Sequence, residues 1–146
     1  MPPIIVSADV GRSADDVYAY TTDPSRFGEW QQGVVRGHME LAATAEKPRC
    51  VTVRRIGFAE RASTSEVVRA DPPRAWSVRG IDGPIRALVN VSVTPLTHVR
   101  SRVTISVDFE GHGVGKLLVP LAVRRQARKE MPTSVATLKR RLESES

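Results

Sequence analysis

The sequence predicts an α+β domain: a curved antiparallel sheet of about seven strands wrapped around a long C-terminal helix, with two short helices after the first strand. Three observations carry this. Two-residue periodicity dominates the chain from Gly33 to Phe109, broken by strong turn signals. Helical periodicity over a long stretch is confined to Val114–Glu143. Between the first β-prone run and the remaining strands lie capping and Pro signals for short helices. Short links between successive strands favour antiparallel hairpins, and a helix with one apolar stripe must bury it against the sheet they form.

Ile4–Val10 is a β-prone run ending at Gly11. Ser13 then offers an N-cap with Asp16 three residues on, and Asp15 and Asp16 suit the positive end of a helix. That helix carries Val17 and Tyr20 on one face and must stop before Pro24, which disfavours αR at Asp23. Asp23 and Pro24 in turn suit the N-cap and first position of a second short helix carrying Phe27 and ending near Gly28–Trp30. The later strands read as Gly33–Leu41, Arg49–Ile56, Arg61–Ala70, Ala75–Ile81, Ile85–Thr94 and Val99–Phe109. Val99, Val103, Ile105, Val107 and Phe109 form one face of the last strand, and Ala87, Val89, Val91 and Val93 one face of the strand before it. Arg61–Ala70 is ambiguous, because each of its faces mixes small, charged and aliphatic residues.

In the terminal segment Leu117, Leu121, Met131, Val135, Leu138 and Leu142 recur at helical spacing. A helix of thirty residues would run roughly 45 Å. Leu117–Leu121 and Val135–Leu142 read as anchors on the sheet, and Pro132 is expected to kink or break the helix near Arg128. The apolar stripe, continued back from Met131, meets Arg128 and Arg124. These side chains either reach inward to a carboxylate or enolate or snorkel to water over their aliphatic stems; the second is the plainer reading.

A chain of 146 residues with 40% hydrophobic and 26% charged residues fits one domain, residues 1–146, with a single core. No apolar run is long enough for a transmembrane segment, the N-terminus lacks a signal-peptide pattern, and the single cysteine, Cys50, has no internal partner. A cytoplasmic protein is expected. The charge is basic, 22 Lys and Arg against 16 Asp and Glu. Much of the excess sits on the terminal helix, and no aromatic-studded groove accompanies it, so nucleic acid is not an expected partner.

The residues resemble the polyketide cyclase/dehydrase-like members of the START / Bet v 1-like (SRPBCC) superfamily. ADDVYAYTTDPSRFGEWQQGV, DPPRAWSVRG with GPIRALVNVSVTPL, and DFEGHGVGKLLVPL with RKEMPTSVATLKRRLE carry the resemblance by their order and spacing over nearly the whole chain. Leu96-Thr97-His98 departs from the Gly-Thr turn common among relatives. The resemblance implies a helix-grip fold with a hydrophobic cavity between sheet and terminal helix. It also implies a small apolar ligand such as a lipid, polyketide or other aromatic metabolite. It transfers no catalytic residue.

The chemistry-bearing residues add little to this. His38, His98 and His112 have no ligand-spaced partners, so no metal site or cofactor is expected. GHGVGK lacks the spacing of a phosphate loop and reads as a strand-to-helix turn, and Cys50 reads as a small buried hydrophobe. Trp30 and Trp76 are either core or cavity wall. The expected cavity lining is Trp30, Trp76, Val78, Val91, Val103, Ile105, Val107, Leu117, Leu121, Arg124, Arg128 and Met131. Binding of a small hydrophobic ligand is the leading reading. A cyclase, aromatase or dehydratase using cavity polar groups as general acid or base is the alternative, and a regulatory module acting through its basic helix is the third. A homodimer is left open.

Overall fold

The computed structural model describes residues 3–40, 47–56, 58–83, 85–111 and 122–145. In chain order these form β1 (Ile4–Val10), α1 (Ala14–Thr21), a 3-10 turn (Pro24–Arg26), α2 (Phe27–Trp30), β2 (Val34–Met39), β3 (Arg49–Ile56), β4 (Ala59–Asp71), β5 (Ala75–Gly80), β6 (Ile85–Thr97), β7 (Arg100–Gly111) and α3 (Arg124–Ser144). The strands make one curved antiparallel sheet in the order β1-β7-β6-β5-β4-β3-β2, the helix-grip arrangement that the sequence resemblance implies.

Strands β1 and β2 follow one another in sequence but occupy opposite edges of the sheet. The segment between them must therefore cross its inner face. Helix α1 packs on β6 and β7, while the 3-10 turn and α2 pack on β2 and β3. Local chemistry fixes this crossing. The Ser13 hydroxyl accepts the Asp16 amide at 3.2 Å and starts α1, and Asp23 accepts the Ser25 amide at 3.0 Å with Pro24 at the first turn position. Gly37 lets β2 approach the turn: a Cβ there would lie 2.6 Å from the Pro24 carbonyl oxygen.

Helix α3 buries Val135, Leu138 and Leu142, three residues on one face, in the same core cluster as Val10, Val17, Val91, Val93 and Val103. It also lies along β1, whose outer edge would otherwise be open. The Lys139 ammonium donates to the Asp9 carbonyl at 2.7 Å, and the Gly11 amide donates to Glu143 at 2.8 Å. Arg12 closes the helix end by donating to the Leu142 and Glu145 carbonyls at 2.8 and 2.7 Å.

Two expectations change. The terminal helix is continuous through Pro132 rather than broken there. Contacts on both sides hold it: Met131 packs on the core, Val135 is buried, and the Ser134 hydroxyl accepts the Gln32 amide at 3.0 Å. The expected stretch before residue 122 lies outside the described residues. Val99 is 71% exposed, because it sits in the turn between β6 and β7 rather than on the buried face. Ser101 takes that place, wholly buried, its hydroxyl donating to the Arg12 carbonyl at 2.9 Å.

Candidate ligand-binding face between the sheet and the terminal helix

The inner face of the sheet is not buried evenly. On β6, Val93 and Val91 are 3% and 4% exposed, whereas Val89 and Ala87, farther along the same face, are half-buried. Strand β7 repeats the pattern. Val103 and Ile105 are buried, and Val107 and Phe109 are half-buried. On α3 the sequence is Leu142, Leu138 and Val135 buried, then Met131 half-buried. Strands β6 and β7 thus lose burial in one direction, away from α1 and toward the end where Ile85 pairs with Gly111, and α3 follows them as far as Met131 before Arg124 is buried again at its start.

Aromatic side chains form the wall between the two ends. Phe27 meets Trp30 and Trp76 edge-to-face, with ring centroids 6.1 and 6.2 Å away. Val78 is buried beside them on the inner face of β5. The Trp30 indole N–H is buried and has no acceptor among the described residues. Tyr18 donates its hydroxyl to the Ala75 carbonyl at 3.1 Å, tying α1 to the start of β5.

Polar groups enter the inner face on β3 and β4. In their register Cys50 faces Ser65, Thr52 faces Ser63 and Arg54 faces Arg61. Cys50 belongs to the buried core cluster, and so does Val34, the β2 partner of Arg54, so this face is the inner one. The opposite face carries Arg36, Arg55 and Glu60, whose ion pairs at 3.1 and 3.7 Å lie on the strand positions flanking Val53. Arg54 donates to the Gln31 side-chain oxygen at 3.2 Å. Surrounding protein pulls its guanidinium pKa below the ordinary value, and the Glu130 carboxylate on α3 opposes that shift. Arg54 nonetheless keeps more than a third of its surface accessible.

Other residues singled out in the sequence fall elsewhere. Arg124 is 6% exposed and ion-paired to Asp108. Arg128 is exposed. Leu117, Leu121 and His112 lie outside the described residues, and His38 and His98 are exposed. Cys50 is a buried free thiol whose pKa is raised by desolvation. Among the described residues no cluster of His, Cys, Asp and Glu is arranged for a metal ion. An open groove over Ala136, Lys139, Arg140, Glu143 and Ser144 runs along the largely exposed side of α3, not along the inner face.

The far end is locked by a separate polar network. Arg26 bonds Glu29 and Glu145 and stacks 4.3 Å over the Tyr20 ring, while the Tyr20 hydroxyl donates to Glu29 at 2.9 Å. Burial, then the Glu29 carboxylate, push the Tyr20 pKa up to about 12, so the hydroxyl stays protonated. Sequence reasoning missed this network and the Arg54–Arg61 pair, because both depend on partners distant in the chain.

The family profile described as "Polyketide cyclase / dehydrase and lipid transport" matches residues 1–143. No curated protein sequence matches. Among solved structures, the Zhui aromatase/cyclase from Streptomyces sp. R1128 superposes with a TM-score of 0.80 at 11% identity, covering 97% of this chain and 93% of that one. A START superfamily protein from Mycobacterium smegmatis gives 0.78 at 13% identity, with 98% of both chains covered. The di-domain aromatase/cyclase BexL of the BE-7585A biosynthetic pathway gives 0.77 at 17% identity. The match covers 98% of this chain but 47% of BexL, so the chain corresponds to about half of that protein. These likenesses show the fold. No helix among the described residues is long and apolar enough to cross a membrane. The match over nearly its whole length makes the chain a member of the polyketide cyclase/dehydrase and lipid transport family.

Proposed function

We propose that the protein binds a small apolar molecule between the inner face of the sheet and α3, at the end where burial falls away. The observation that carries this is the parallel loss of burial along β6, β7 and α3. Val89, Val107 and Met131 are apolar and pack against the core, and Phe109 follows Val107 in the β7 alternation, yet all four stay only partly buried where their neighbours closer to α1 are fully packed. Apolar area left open in a concave, aromatic-walled site is what a hydrophobic ligand would cover, at about 25 cal/mol per Å². Family membership supports a ligand-binding or cyclase role.

Between those two, the polar groups favour binding. A cyclase requires a group that moves protons at the reacting carbon. On the inner face of β3 and β4 the groups around Arg54 are guanidinium, hydroxyl and amide, at Arg61, Thr52, Ser63 and Gln31, which hold a ligand without exchanging its protons; the Cys50 thiol is buried, and the Glu130 carboxylate on α3 is engaged by Gln126.

Native mass spectrometry of the purified protein, with uptake of the neutral dye N-phenyl-1-naphthylamine, tests the proposal. The expected result is either a co-purified mass lost on denaturation or saturable dye binding near one per chain. A protein that carries nothing and leaves the dye's fluorescence unchanged contradicts it.

A further inference from the structure

We infer that Arg54 and Arg61 form an anion subsite at the half-buried end, so that the ligand is an amphipath with an apolar body and a terminal carboxylate or phosphate. The inference rests on the binding reading above and specifies the ligand's chemistry.

The register places the two arginines directly opposite each other on the inner face of β3 and β4. Their Cβ atoms are then roughly 4.5–5.5 Å apart, where like charges repel and weaken the pairing. Arginine normally answers such crowding with a carboxylate, as Arg36 and Arg55 share Glu60 on the opposite face of these strands. The inner pair has no such answer among the described residues. Among the described residues Arg54 reaches only the neutral oxygen of Gln31, and neither guanidinium lies within ion-pair distance of an acid. Glu130 acts on Arg54 through its field alone, and its carboxylate already accepts from Gln126 at 2.6 Å. The strands therefore root two arginines side by side on the inner face, with Thr52 and Ser63 as the next pair along it. Two planar guanidiniums so placed present several N–H donors to one oxyanion, and a bound anion removes the repulsion between them.

The pair's position suits this role. It lies two register steps from the Ile56–Ala59 pair that ends β3 and begins β4. The Asp82 carboxylate accepts the Thr64 amide at 2.9 Å, so the link from β5 to β6 lies beside this stretch, at the same end of the sheet. The ligand's apolar body then extends toward Val107, Met131 and Trp76, with its charged head on the arginines.

Competition against bound N-phenyl-1-naphthylamine at pH 8 separates the two levels of the argument, using dodecanol, dodecanoate and dodecyl phosphate. Dye uptake and its displacement by dodecanol read the apolar site; the ratio of anion to alcohol affinity reads the arginines. Wild type is expected to bind at least one of the two anions about tenfold or more tighter than the alcohol, the scale of charge-assisted hydrogen bonds. Comparison of dodecanoate with dodecyl phosphate assigns the head group. Arg54→Gln and Arg61→Gln should each reduce the ratio several-fold, and the double variant should bring it near one with dye affinity kept. Arg36→Gln, on the outer face, should leave the ratio unchanged. Relief of the repulsion should also leave the ligand-free double variant with an unfolding midpoint equal to or above wild type, showing that it folds. Equal affinity for alcohol and anions in wild type, or a ratio untouched in the folded double variant, overturns the anion subsite and leaves the apolar site standing. Failure of wild type to take up the dye overturns both.

Discussion

The two ends of the space between sheet and α3 use the same strands and the same helix yet differ in how they are built. Near α1 the side chains are aliphatic and fully packed: Val10, Val17, Val103 and Leu138 are at 0% exposure. Around them, Arg12 caps α3 and the Arg26–Glu29–Glu145 network pins its last residues. Toward the Ile85–Gly111 pair the aliphatic residues are half-buried, and two arginines stand on the inner face without carboxylate partners among the described residues. On the proposed function, the first end supplies the stability that lets the second stay open to a ligand. Binding sites are drawn from such regions because a fully packed, fully paired surface has nothing left to offer a ligand.

The largest expected difference between the ends lies in core truncation. Leu138→Ala removes a wholly buried side chain and should cost about 2–5 kcal/mol of unfolding free energy. Met131→Ala, on the same helix at the half-buried end, should cost roughly 1 kcal/mol. Urea unfolding of both variants checks the contrast, and equal losses would mean that the two ends are packed alike.

A smaller effect concerns acid. Glu29 is held below its ordinary pKa chiefly by its bond to Arg26, and Glu143 chiefly by its bond to Lys139 and then by the Gly11 amide. Lowered pKa values mean that both groups contribute stability above the unfolded-state value of about 4.3, lost as pH falls through the folded-state values. The unfolding midpoint should therefore drop below about pH 4. The Glu29→Gln/Glu143→Gln variant should show a flatter profile there, and an unchanged slope would remove these contacts from the account.

Much of the architecture was legible because one face of most strands is buried. Alternation along β6 and β7 located those strands within a few residues, and Ser13 and Asp23-Pro24 marked the short helices. What escaped depended on register. Strand β4 looked ambiguous because its inner face carries Arg61, Ser63 and Ser65. A bulge between Val67 and Arg69 then shifts the alternation, so that Arg69 pairs with Ser77. Sequence drew attention to arginines on the terminal helix, but Arg124 is taken by Asp108 and Arg128 is exposed; the inward-facing pair is on the sheet. The helix passes through Pro132 because tertiary contacts on either side outweigh one missing donor.

The central claim is that room for a ligand exists at one end of the inner face and not at the other. Introducing bulk at matched positions on β7 tests it most directly. Val107→Trp should fold with an unfolding midpoint close to wild type and lose N-phenyl-1-naphthylamine binding, because the indole fills the ligand's place. Val103→Trp, two side chains away on the same face, should be strongly destabilised by overpacking. Equal destabilisation by the two substitutions, or dye binding retained in Val107→Trp, would contradict the account.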